Sequence, residues 1–99
     1  MSDRKLSEAR RIAKSKGLIK NDEDLTISKA KNKRFAIKYD NKTINFGLWP
    51  FSGQGSYLDH KNDTIRKAWR ARHREIMKDG KPAYLDKTSP DYYAWRILW

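Results

Sequence analysis

Residues 57–78, YLDHKNDTIRKAWRARHREIMK, decide how this chain folds. Stepping about 100° per residue, as a helix does, places Ile65, Ala68, Trp69 and Ile76 on one arc. Arg66, Lys67, Arg70, Arg74 and Lys78 fall on the opposite one. The stretch reads as one amphipathic helix that packs on a core by one face and presents cations with the other.

Arg72 breaks that pattern, because it projects between Ile65 and Ala68. His73 sits at the edge of the apolar arc, beside Trp69. An arginine there must snorkel, stack on a ring or meet a carboxylate. The expected partner of Arg72 is Asp86, Asp91 or a C-terminal carboxylate, with His73 and Asp91 in the same structural pairing.

Upstream, RFAIKYDNKTINFG (residues 34–47) reads as a β-hairpin. Phe35, Ile37 and Tyr39 alternate with Ala36 and Lys38, and Ile44 and Phe46 alternate with Thr43 and Asn45. Asp40-Asn41 between them tolerates the positive φ of a tight turn. One face of this hairpin is expected to cover the central helix. Leu25–Ile27 is a short third strand at most, and Lys29, Lys31, Lys33 and Arg34 form a basic loop. Further upstream, Ser2 is a candidate cap for a helix to about Lys16, with Gly17 just past its end. Its apolar stripe is thin and its remainder basic, which fits either a cationic arm or a helix lying on the domain.

Between hairpin and helix, Leu48, Trp49 and Phe51 lie on a Gly-rich loop, as a flap over the core or a contact patch. Downstream, Asp79-Gly80 reads as a helix stop. Ser89, Pro90 and Asp91 then open a last helix as cap, first residue and first-turn acid. Tyr92, Trp95 and Trp99 leave that helix little polar face, so its own domain or a subunit interface buries it.

These elements predict an α+β fold. A small antiparallel hairpin or three-stranded sheet packs on a central amphipathic helix, with a basic N-terminal helix and a short aromatic C-terminal one. The domain division expected is a helical arm over 1–24 and an α+β domain over 25–99.

The chain has 99 residues, enough for one domain, and a net charge of +11. Residues 1–34 carry +6 of it and residues 59–81 carry +4, while the last 18 residues are neutral. That balance favours an anionic partner: nucleic acid, an acidic protein surface or an anionic membrane. No window is apolar enough to span a bilayer. With no cysteine there is neither a disulfide framework nor a thiolate metal site.

Nothing in the spacing supports catalysis. His60 and His73 are not at the i, i+4 spacing of a helical metal pair. The glycines of SGQGS precede no Lys-Ser/Thr, so they form no phosphate loop. No enzyme activity, cofactor or metal is expected.

Three runs carry a resemblance: KNKRFAIKYDNKTINFG (31–47), YLDHKNDTIRKAWRARH (57–73) and SPDYYAWRILW (89–99). Together they resemble a small uncharacterised family found mainly in giant double-stranded DNA viruses. Its pattern of a DGK-x-I-x-FG strand, an H-K-D helix start, an aromatic before R-H and an aromatic L-L-W ending corresponds here to Asn41–Gly47, His60-Lys61, Trp69 with Arg72-His73, and Ile97-Leu98-Trp99. Asn41 replaces the usual turn glycine, Asn62 replaces the aspartate after His-Lys, and residues 1–30 lie outside the match. That family has no established activity. The resemblance implies a virion component, present in the host cytoplasm or nucleus during assembly.

Two functions are therefore expected. The first is a structural protein of a large DNA virus particle, a minor capsid or cement-like subunit. Leu48, Trp49, Phe51, Tyr92, Trp95 and Trp99 would meet neighbouring virion proteins, and the basic segments would meet acidic surfaces. The alternative is non-specific DNA or RNA binding through Lys29, Lys31, Lys33, Arg34, Arg66, Lys67, Arg70, Arg74 and Lys78.

Overall fold

Asp40 (φ 51°) and Asn41 (φ 62°) both take the left-handed backbone of a two-residue hairpin turn. They join β2 (Lys33–Tyr39) to β3 (Lys42–Leu48), so the predicted hairpin is formed. β1 (Leu25–Ile27) pairs antiparallel with the other edge of β2, giving a three-stranded sheet in the order β1-β2-β3. The fold is α+β. The computed structural model describes residues 4–51 and 53–99. The chain divides into two units, one ending at Pro50 and one beginning at Phe51.

Register explains the core of the first unit. Leu25, Ile37 and Ile44 stand in one row across the sheet, and Ile27, Phe35 and Phe46 in the next. The two-residue side-chain period puts both rows on one face. Leu25, Phe35, Ile37 and Phe46 are fully buried there, with the two phenyl rings tilted at 5.9 Å.

α1 (Leu6–Ser15) belongs to this unit, so the division after Asp24 expected from sequence is not the one seen. Its thin stripe suffices because Ala9 and Ala13, both fully buried, let the helix approach closely. Arg10 Nε donates to the Leu25 carbonyl at 2.9 Å, tying α1 to β1. Past the helix, Gly17 (φ 73°) donates to the Lys14 carbonyl and Leu18 to that of Ala13. Gly17 thus stands just past the helix end, as predicted, and the two bonds close the helix there. The expected Ser2 cap lies outside the described residues. Lys14 Nζ meets Asp22 Oδ1 at 2.8 Å. That contact holds the Asp22 carboxyl below its usual value of 3.8.

In the second unit the expected long helix is two helices. α2 (Tyr57–His60) ends at Lys61, which is left-handed (φ 57°). Asn62 then caps α3 (Asp63–His73), its Oδ1 accepting from Thr64 N–H at 3.0 Å and Ile65 N–H at 3.2 Å. A left-handed residue cannot continue a helix, and a side chain that satisfies two first-turn donors begins a new one.

α3 also stops early. Asp79 (φ 52°) and Gly80 (φ 80°) form a second hairpin turn, between β4 (Met77–Lys78) and β5 (Lys81–Pro82). The Asp-Gly pair read from sequence as a helix stop is thus a strand turn. α4 (Pro90–Tyr93) begins as predicted, with Ser89 Oγ accepting from Asp91 N–H, and continues as a π-helical turn over Ala94–Leu98. Tyr93, Ala94, Ile97 and Leu98 are buried with Leu58, Trp69 and Ala83.

Candidate cationic binding surface

The second unit is built on an aromatic stack centred on Trp69. Its ring stacks on Trp99 (4.7 Å, 8°) and on His73 (3.8 Å, 14°), and Trp95 lies against it at 5.9 Å. Tyr84 stacks on Trp95 at 4.3 Å, and His60 approaches Trp99 at 5.4 Å. Tyr92, Trp95 and Trp99 are therefore half-buried parts of their own unit.

Cations close over this stack. Arg66 lies 4.4 Å from the Tyr57 ring and pairs with Asp63 at 2.9 Å. Arg70 lies 5.1 Å from Trp95 and donates to the Trp99 main-chain oxygen at 2.9 Å. Arg96 lies 3.6 Å from Tyr92 and donates to the Tyr84 and Tyr92 carbonyls. Burial, followed by the charges of Arg66 and Arg96, lowers the Arg70 guanidinium pKa.

This packing turns α3 away from its expected orientation. The inward stripe is Ile65, Arg66, Trp69, Arg70 and His73, about 70° round the helix from the predicted arc at 100° per residue. The outward stripe carries Lys67, Ala68, Ala71, Arg72, Arg74 and Glu75, all exposed. Arg72 makes no ion pair among the described residues, so its expected carboxylate contact is not formed. Its place is taken by Arg70, whose planar fork can both donate and lie over a ring. His73 and Asp91 do come together, Nδ1 to Oδ2 at 3.7 Å. Lys78 is committed locally, to Asp86 at 3.8 Å and to the Thr88 hydroxyl at 3.0 Å.

In the first unit, Lys29, Lys31 and Lys33 are exposed, and none is ion-paired among the described residues. Arg34, expected beside them, is buried instead and donates through Nε and Nη2 to the Arg4 carbonyl at 3.2 and 2.8 Å. Trp49 lies under the Arg4 and Arg34 guanidiniums, at 4.9 and 5.2 Å. Of the residues expected on a protein interface, Leu48 and Phe51 are exposed.

Sequence reasoning missed the polar face of the sheet, where Thr26, Ala36, Lys38, Thr43 and Asn45 line a groove of about 310 Å3. The same alternation that revealed the apolar face marks these residues as its reverse. Among the described residues no group of three or more His, Cys, Asp or Glu could hold a metal ion, and no helix is long and apolar enough to cross a membrane.

Fold and charge define a small basic α+β protein. Residues 23–73, just over half of the chain, match the family of unknown function DUF5754, and the chain belongs to that family. No curated protein and no solved structure matches it.

Proposed function

We propose that this protein binds nucleic acid through phosphate contacts, without base preference and without chemistry. One observation carries the reading. Lys67, Arg72 and Arg74 stand exposed and without ion pairs, among the described residues, on the outward stripe of α3. Lys29 and Lys31, on the β1–β2 loop, and Lys33, at the start of β2, do the same in the first unit. Unpaired cations on a chain of net charge +11 release counterions when they meet phosphates. Arg66, Arg70 and Arg34 support the fold rather than the contact.

The test is fluorescence anisotropy of the purified protein with a random duplex, over about 50 to 200 mM salt. Micromolar or tighter binding with a steep negative salt slope is expected. Replacing Lys67, Arg72 and Arg74 by Ala reduces that slope by about one for each phosphate no longer neutralised. No binding at the lowest salt sinks the reading.

The exposure of Leu48 and Phe51 favours a second reading, contact with neighbouring proteins. With the viral resemblance of the strand, helix and C-terminal motifs, that reading is a minor structural component of a large DNA virus particle. Its expected signature is protein–protein contact that Leu48→Ser or Phe51→Ser weakens, with nucleic-acid affinity near zero.

A further inference from the structure

The polar face of the three-stranded sheet carries a groove. Thr26, Ala36 and Asn45 stand side by side across it, and Lys38 and Thr43 form the next row toward the hairpin turn. Lys29, on the β1–β2 loop, lines the opposite end of the same groove. Its volume of about 310 Å3 falls at the lower end of the range for ligand pockets. Ala36 sets the depth, because a larger residue between Thr26 and Asn45 would fill the floor.

The donors are oriented. Ser28, itself buried, donates its hydroxyl to Asn45 Oδ1 at 2.6 Å and accepts from Ala30 N–H at 3.0 Å. With Oδ1 occupied, Asn45 Nδ2 is left to donate, and it has no partner among the described residues. A lysine thus lines the groove toward each end, with two threonines and Asn45 between them. Lys31 on the loop and Lys33 at the start of β2 continue the cations past Lys29. Glu23 also lines the groove, as its one carboxylate.

This pattern suits a chain whose charges are spaced along its length. No aromatic ring lines the groove, so recognition falls to the backbone, and a groove of this volume admits one strand rather than a duplex. We propose that the groove seats a single-stranded sugar–phosphate backbone. Lys38 and Lys29 take phosphates at the two ends, and Thr26, Thr43 and Asn45 Nδ2 donate to the oxygens between. The inference rests on the nucleic-acid reading and adds the strandedness and the seat.

The experiment compares a labelled oligo-dT with a random duplex at one salt concentration. The paired change Lys38→Glu with the isosteric Asn45→Asp places anions in the groove. It is expected to lower oligo-dT affinity about tenfold and duplex affinity less than about twofold. Lys67→Glu with Arg74→Glu, on α3, lowers both. Unchanged oligo-dT affinity in the groove variant, with wild-type binding intact, overturns the groove and leaves the nucleic-acid reading standing. Absence of wild-type binding to either probe overturns both. Binding of dTMP as tight as that of the oligonucleotide overturns the strand assignment. If the groove variant fails to fold, amide shifts of Thr26, Thr43 and Asn45 in the wild-type protein titrated with oligo-dT decide instead. Localised shifts there support the seat, and none there overturns it.

Discussion

Arg4 and Arg34 exchange hydrogen bonds. Arg34 Nη2 donates to the Arg4 carbonyl at 2.8 Å, and Arg4 Nη1 donates to the Arg34 carbonyl at 3.3 Å. Both guanidiniums lie over Trp49. The chain entering α1 is thereby fixed to β2 by reciprocal side chain-to-backbone contacts, with one ring beneath both.

Removing Arg34 leaves the part-buried Arg4 carbonyl without these donors. Arg34→Ala is expected to destabilise the first unit by about 2–3 kcal/mol, read from the denaturant midpoint. Arg34→Lys recovers little, because a lysine has no fork to span Nε and Nη2 and no plane to lie over Trp49. An Arg34→Lys variant as stable as wild type refutes this account.

Arg70 and Arg72 offer a paired test of how α3 is turned. Arg70→Ala removes the hydrogen bond to Trp99 and the packing on Trp95, at about 1–2 kcal/mol. Arg72→Ala, on the exposed stripe, stays within about 0.5 kcal/mol of wild type. Thermal unfolding of the two variants suffices, and the reverse ranking would mean that the inward stripe is misassigned.

Gly55 and Gly17 differ in an instructive way. Both are left-handed, at φ 79° and 73°. A Cβ on Gly55 would lie 2.6 Å from Asp59 Oδ2, the oxygen that accepts from the Ser56 main chain and hydroxyl; a Cβ on Gly17 would meet nothing within 4 Å. Gly17→Ala therefore costs about 1 kcal/mol of backbone strain, and Gly55→Ala costs more, about 2–3 kcal/mol, through strain plus a broken helix cap. Equal melting temperatures for the two variants would contradict the close approach.

Two carboxyls, Asp22 exposed and Asp86 half-buried, contribute to the acid limb of stability. Asp22 is lowered below 3.8 first by its hydrogen bond from Lys14, and Asp86 first by the Thr88 N–H and then the Thr88 hydroxyl. A depressed folded-state pKa stabilises above the unfolded value and loses that effect as pH falls through the folded one. The stability gap between wild type and Asp22→Asn or Asp86→Asn should be constant above pH 3.8 and close below it. Unfolding midpoints between about pH 2 and 6 measure this, and a gap that widens on acidification would reverse the sign.

The hairpin is legible in the sequence because its two signals agree: strict alternation from Phe35 to Phe46, and two turn residues that accept positive φ. Ser89-Pro90-Asp91 is legible for the same reason, each residue fitting its position at a helix start. α3 is easily misread because periodicity scores arginine as polar, whereas Arg66 and Arg70 pack on rings as flat hydrocarbon-like plates. Counting them outward rotates the whole helix. Its break at Lys61 does carry a signal, the cap Asn62-Asp63-Thr64. The Asp79-Gly80 turn is hidden by Ile76, which fits the helical period while ending outside the helix. The polar groove needs the register of three strands, which one strand's alternation cannot supply.

The placement of the indoles has a spectroscopic consequence. The first unit holds Trp49 alone, and the second holds Trp69, Trp95 and Trp99. Replacing Trp49 by Phe would leave an emission that follows the second unit's melting by itself. Replacing the other three would leave a lone fluorophore beneath two guanidiniums, reporting the first. The chain thus carries its own dye for each half, and unequal transitions in the two signals would reveal whether the halves unfold as one.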